Sequence, residues 1–207
     1  MGADKSINFG SSLRDHIEVL KLSKGNDGNY TWKRVAQWYA AVGLDASSNI
    51  FSKVGIGARG ATVTLRPAPS LTLHNAFRHR GQFLFLTSII PSAGRDRLEV
   101  KAAICTPVTF TAEPKAKTGR DKMNRPTVEK AAAYTFPGVW TELYRKEQDE
   151  GVVDTELVQR VIVTPKEIKL RRGDIVRDPD GTAWPVMRVL ELDEYKNEYV
   201  VYCQEDP

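Results

Sequence analysis

The sequence predicts a mainly β chain: two small antiparallel β-barrel or sandwich domains of related fold, carrying long loops. Three observations predict it. Apolar residues alternate at period two, turn-forming residues punctuate those stretches, and the C-terminal half repeats the strand order of the N-terminal half. The chain has 207 residues, 41% hydrophobic and 27% charged. That length suits one large domain or two of about 100 residues each. A mean hydropathy of -0.38 fits a globular protein rather than a disordered tail or a membrane protein.

The first element reads in two ways. Ser12-Leu13-Arg14-Asp15 fits a helix capping box, with Leu13, Ile17 and Leu20 at helical spacing. Ile17 and Val19 also alternate as in a strand. Trp32, Arg34, Ala36, Trp38, Ala40 and Val42 then fall at period two, mostly apolar on one face. The run Phe83 to Ile90 is apolar on both faces, which predicts a strand buried on both sides. Leu98, Val100, Ala102 and Ile104 alternate with Glu99, Lys101 and Ala103. In the second half Trp184, Val186, Leu190 and Leu192 alternate with mixed neighbours, and Tyr199, Val201 and Cys203 close the chain in the same way. Between these runs lie Gly25-Asn26-Asp27-Gly28, Ser92-Ala93-Gly94, Arg172-Gly173-Asp174 and Pro179-Asp180-Gly181, all turn chemistry. Their spacing suggests a sandwich or small barrel.

Residues 78–105 resemble residues 177–204. Gly81 matches Gly181, Ser88-Ile89-Ile90 matches Arg188-Val189-Leu190, and the strand Leu98–Cys105 matches Glu198–Cys203. Upstream, 62–67 matches 160–165, with Pro67 against Pro165, and Leu71-Thr72-Leu73 matches Ile168-Lys169-Leu170. A tryptophan strand precedes each, with Trp38 set against Trp140. Two copies of one strand sequence imply two domains of one fold. The division predicted is 1–112 for the first barrel, 113–127 for a basic linker or loop, and 128–207 for the second. Segment 113–127 has no large apolar residue except Met123 and carries Pro114, Gly119 and Pro126, so it cannot fold alone. Thr127–Tyr134 fits either a short helix or the first strand of the second domain.

Little in the sequence points to catalysis. Val54-Gly55-Ile56-Gly57-Ala58-Arg59-Gly60 matches G-x-G-x-x-G, but Ala61–Leu65 after it reads as a strand, whereas a phosphate cradle needs a helix there. His74 and His79 have arginines beside them and no neighbouring Cys or acidic ligand, so they read as polar surface histidines rather than a metal site. No nucleophile triad and no carboxylate pair stands out. Catalytic, cofactor and metal sites are accordingly read as none. Cys105 and Cys203 are too few for a disulfide framework and read as buried, reduced thiols. No apolar run reaches the ~18 residues of a membrane helix. Gly2 and Ser6 fit the M-G-x-x-x-[ST] acylation pattern, which is short enough to arise by chance.

Two stretches are candidate functional segments. Net charge is +4, and Lys115, Lys117, Arg120, Lys122, Arg125 and Lys130 stand against only Asp121 and Glu129. Such residues on a loop can pair with DNA phosphates without sequence preference. The structural alternative is a solvated linker. The loop Gly43–Gly60 is glycine-rich yet holds Ile50, Phe51, Val54 and Ile56, which a purely solvated loop rarely needs.

The strand signature resembles the head-closure, or stopper, family of long-tailed phages. In the first half the resemblance lies in Leu13-Arg14-Asp15-His16-Ile17-Glu18-Val19, the strand Tyr30–Val42 with Trp32 and Trp38, and the strands at 62–67 and 81–90. In the second half it lies in Val161-Ile162-Val163, Arg172-Gly173-Asp174-Ile175-Val176, Asp180-Gly181-Thr182-Ala183-Trp184-Pro185-Val186, and Tyr199–Cys203. It covers most of 13–108 and 137–204, although that family is usually a single domain. The resemblance implies a non-enzymatic virion protein of the neck, present in the host cytoplasm during assembly. Its subunits would form a cyclic homo-oligomer between an adaptor or portal-side protein and a tail terminator or tail tube protein. Packaged double-stranded DNA would run through the channel, and no membrane is involved. Ile50, Phe51, Val54 and Ile56 would be the inter-ring or lumen contact, and Lys115, Lys117, Arg120, Lys122 and Arg125 the DNA-facing loop. Alternatives are a tail-completion ring of the same neck, a tandem small-barrel nucleic-acid-binding protein, and a hydrolase.

Overall fold

A computed structural model describes residues 13–45, 59–120, 123, 126–129, 131–142, 157–191 and 193–204. Among them all regular structure is β. The first six strands are β1 (Asp15–Lys24), β2 (Tyr30–Asp45), β3 (Arg59–Leu65), β4 (Asn75–His79), β5 (Gln82–Pro91) and β6 (Leu98–Cys105). There follow β7 (Val108–Glu113), β8 (Lys117–Arg120), β9 (Pro126–Glu129), β10 (Tyr134–Glu142), β11 (Leu157–Pro165), β12 (Ile175–Arg177), β13 (Ala183–Leu190) and β14 (Lys196–Gln204). The capping-box alternative at Ser12 is thereby decided for a strand: Ile17 and Val19 are buried, with Glu18 between them on the other face.

The strands close two barrels. Around the first the order is β1-β2-β3-β6-β5-β4, and around the second β7-β10-β11-β14-β13-β12. Replace each strand of the first barrel by its counterpart and the second order results, so the two topologies are identical. Closure removes free sheet edges from both. The compact units these barrels belong to comprise, among described residues, 13–21, 32–45 and 59–106 for the first, and 22–31 and 107–204 for the second. The tip of the β1–β2 hairpin is thus part of the second unit.

Two boundaries differ from the sequence reading. Strand β7 was predicted to end the first domain, but it pairs with β10 and β12 and closes the second barrel. Local alternation in Val108–Ala112 looks the same whichever barrel it joins, because only the distant pairing of Ala112 with Val176 decides. Segment 113–127 is consequently no linker between barrels. It starts on the last residue of β7 and continues into the β8–β9 pair, Lys117 opposite Glu129, between the first and second strands of barrel two.

Strand pairing places the repeat residue by residue. In β5 the register shifts between Leu86 and Ser88, and in β13 between Val186 and Arg188, so both copies carry a bulge at the same point. This agrees with setting Gly81 against Gly181, both at positive φ, 81° and 86°. Elsewhere the strand pairing sets the two copies one residue away from the match of 62–67 with 160–165. Val63 pairs with Val100 and Ile162 with Tyr199, which makes Ile162, not Val161, the counterpart of Val63. A one-residue slip changes the face, and Val63 and Ile162 are indeed the core residues. Trp38 and Trp140 are not counterparts either. Val42 pairs with Val63 and Trp140 with Ile162, so Trp140 stands where Val42 does.

Each barrel has its own core. In the first, Ile17, Val19, Ala40, Val63, Leu65, Phe77, Leu84, Leu86, Val100 and Ala102 are buried together. In the second, Phe110, Ala112, Phe136, Ile162, Ile168, Val176, Trp184, Val186, Tyr199 and Val201 are buried together in the same way. Burying each of the larger apolar side chains among them contributes about 1.5–3 kcal/mol, and each alanine less. The second core is aromatic: Phe110 stacks on Phe136 at 5.6 Å and meets Trp140 edge-on at 4.9 Å. Gly138 makes room for it, since a Cβ there would lie 3.0 Å from both Phe110 Cε2 and Ile162 Cγ2. The run Phe83–Leu86 is buried on both faces, as its apolarity predicts, but burial fades beyond Thr87, and Ile90 is exposed.

Candidate functional site

The predicted loop residues Ile50, Phe51, Val54 and Ile56 lie outside the described residues, as do Lys122 and Arg125. The segment 46–58 joins β2 to β3, and its counterpart by topology, 143–156, joins β10 to β11. Of the predicted basic residues, Lys117 and Arg120 sit at the two ends of β8, and Lys115 is exposed just before it.

Lys115 is fixed by the turn that precedes β12. Asp174 is buried, and its carboxylate accepts the Lys115 N–H at 2.8 Å and the Arg171 N–H at 2.7 Å. Asn75 does the same work in the first barrel, accepting the Thr72 N–H at 2.9 Å and donating to the Leu20 carbonyl at 3.3 Å. Gly173 takes φ +89°, and a Cβ there would lie 3.1 Å from Lys115 Cδ. The tripeptide Arg172-Gly173-Asp174 is therefore a turn, as its composition predicts.

On the first barrel, Glu18 bridges Arg34 and Arg78 at 3.3 Å each. Beside them His16 packs on Tyr39 at 4.3 Å, with Gln37 Nε2 3.4 Å from His16 Nδ1. A groove of about 500 Å³ runs past Leu13, Trp38, Tyr39, Leu65 and Pro67. Val35 and Tyr39 share the outward face of β2 and are exposed by 57% and 61%, whereas Leu44, opposite the buried Ala61 near the strand's end, lies in the core-facing register and is exposed by 62%.

His79 departs from its predicted surface position. It follows Phe77 at period two on β4, so it faces inward, and it is buried with Nε2 3.3 Å from Asp15 Oδ1. Burial would push the Asp15 carboxyl up, but the Val42 N–H, His79 and Arg80 outweigh it and hold it below its ordinary value. At the second barrel, sequence reasoning missed Arg160, whose guanidinium lies over Trp140 at 5.4 Å and Trp184 at 5.1 Å. It also missed that Lys196 and Glu198 form a buried ion pair at 2.5 Å. Among the described residues no three His, Cys, Asp or Glu side chains gather to hold a metal.

Several titratable groups share one direction. Burial alone would lower the Lys196 ammonium, but Glu198 outweighs it and raises it. Burial pushes the Tyr134 phenol up to about 12 and raises Tyr199 despite the Leu170 N–H. It also takes the Cys105 thiol up to about 12, against the Phe85 N–H. The sequence suggests a buried, reduced thiol for Cys105, and in the structure it is half-buried. The Cys203 side chain lies outside what is described. In the folded chain each group keeps its proton at a pH where the unfolded chain has lost it. Stability is therefore full below the ordinary thiol value and falls as pH rises from about 8.5 through about 12. The urea midpoint should drop between about pH 7 and pH 11. An unchanged midpoint would contradict these raised values.

No helix among the described residues is long and apolar enough to cross a membrane. No protein family, no curated protein and no solved structure matches the chain.

Proposed function

We propose that this chain is a structural subunit of the neck of a tailed phage, forming a cyclic ring that closes the filled head and joins it to the tail. Its work is mechanical rather than chemical. What carries the reading is the repeat itself: two closed barrels of identical strand order, each with a long connection between its second and third strands. Closed barrels cannot associate by adding strands, because they present no edge. Barrel-to-barrel contacts must then be made through side-chain surfaces, while the two-stranded β8–β9 sheet keeps its edges. The exposed Val35 and Tyr39 on one face of β2, with the groove that Tyr39 borders, support such a contact on the first barrel. A head-to-tail contact of this kind closes into a ring when its rotation closes. In this reading Ile50, Phe51, Val54 and Ile56 make the inter-ring or lumen contact, and the ring stacks between an adaptor and a tail protein around packaged DNA.

The test is direct. Electron micrographs of the purified chain, alone and with its neck partners, should show closed rings. Tyr39→Asp should shift the chain to monomers in light scattering without changing its circular dichroism. Deletion of 45–58 should leave the barrels folded and impair DNA retention or tail joining. A chain that stays monomeric alone and with partners would refute the ring, and infectious particles of normal yield from the deletion would refute the loop's role.

A second reading, a tandem small-barrel nucleic-acid-binding protein, draws on the basic character of the second barrel. Duplex binding without any ring would favour it.

A further inference from the structure

We infer that one end of the second barrel, around the turn 169–174, is a surface that binds duplex DNA through its phosphates. The surface is assembled from three stretches far apart in sequence: Lys24, Lys115, and Lys169 with Arg171 and Arg172, all exposed. Sequence reading found only Lys115, because Lys24 and the Lys169, Arg171 and Arg172 cluster lie far from it along the chain.

The contacts that gather them are specific. The buried Asp174 carboxylate ties the Lys115 and Arg171 backbones together. Lys115 lies across Gly173, next to Arg172. The Tyr134 hydroxyl donates to the Lys169 carbonyl at 3.3 Å, and its ring meets Tyr30 edge-on at 5.8 Å. Tyr30 in turn carries the Lys24 ammonium 5.3 Å above its ring. Asn29 beside it accepts the Thr135 N–H at 2.7 Å, which pins the hairpin tip to β10. Five cations are thus mounted on strand ends and a tight turn rather than on a free loop.

Carboxylates in the same stretches offset them only in part, since Asp27, Asp174 and Glu167 stand against the five cations. Asp174 is only 4% exposed, with both oxygens given to backbone N–H groups. Glu113 holds Arg177 at 2.6 Å, and Asp27 accepts from the Asn29 amide and backbone. Glu167 is the remaining exposed acid of the 165–174 stretch.

Distributed cations on a rigid surface suit a partner whose negative charges repeat, and the phosphate backbone is such a partner. Tyr30 and Tyr134 are half-buried against each other, so they offer no free stacking platform of the kind that holds single strands. The inference goes beyond the ring and does not rest on it. A monomer that binds duplex keeps it, and a ring indifferent to duplex removes it.

The experiment measures anisotropy of a labelled mixed-sequence duplex of about 30 base pairs with the full chain, from about 50 to 200 mM salt. With three to five phosphate contacts, log affinity should fall against log salt with a slope of about -3 to -4.5. Arg171→Glu with Arg172→Glu should flatten that slope by about 2 and weaken binding more than about tenfold at low salt. Arg34→Glu with Arg78→Glu, on the first barrel, should change neither. If charge reversal disturbs folding by circular dichroism, Arg171→Gln with Arg172→Gln must still flatten the slope. Absence of duplex binding at low salt, equal loss from the first-barrel pair, or displacement by polyglutamate as effective as by unlabelled duplex would each overturn the inference.

Discussion

Phe110→Ala will destabilise the second barrel by about 4 kcal/mol and leave the first barrel unaffected. Phe110 is fully buried and lies between Phe136, Trp140 and the Cβ-less face of Gly138. Those neighbours sit on a barrel strand held on both sides, by β7 and by β11, so they cannot collapse into the space left behind. A barrel of this size has about 5–15 kcal/mol of stability in total, so the loss is a large share. Hydrogen exchange by mass spectrometry reads the two barrels separately. Peptides from β10 to β14 should exchange faster in the variant, and those from β3 to β6 should not. Ile17→Ala, at the corresponding point of β1, should show the opposite pattern. Faster exchange in the first barrel from Phe110→Ala would place β7 with the wrong partner strands.

Lys196→Met will cost about 3 kcal/mol, because it leaves the buried Glu198 carboxylate without its ammonium. Lys196 and Glu198 side chains are only 2% and 8% exposed. The cost comes from the stranded charge rather than from the worth of the pair. Lys196→Met combined with Glu198→Leu should therefore recover most of the loss, since two apolar residues of similar volume need no partner. Urea unfolding of the three variants checks this. A double variant as unstable as the single one would mean that the pair contributes a net attraction that apolar packing cannot replace.

Strand content, two-domain organisation and most turns were legible because they depend on local pattern. Period-two alternation marks a half-buried strand wherever that strand pairs, and Gly81 and Gly181 mark positive-φ turns on their own. The register of the repeat was less legible, for a reason visible in the cores. Counterpart positions conserve inward direction but trade volume: Ile17 with Ala40 in one barrel, Phe110 with Gly138 in the other. Close packing asks only that the sum fit. Aligning Trp38 with Trp140 assumed that a large residue keeps its position, and Val42 holds that position instead. The basic surface was invisible for a different reason. Lys24, Lys115 and Arg171 become neighbours only through Asp174, Tyr30 and Tyr134, which join distant strands.

Sequence alone determined that this chain alternates into strands, turns where glycine and aspartate allow, and does so twice. Tertiary structure alone decided which face of a repeated pattern meets water. Arg97-Leu98-Glu99 and Lys196-Asn197-Glu198 are counterparts of one charge pattern. In the first copy Arg97 and Glu99 are 38% and 47% exposed, and in the second the corresponding charges are buried and must pair. The charges have the same signs in both places. The surroundings, which set the cost of desolvating a charge, come from packing by distant parts of the chain.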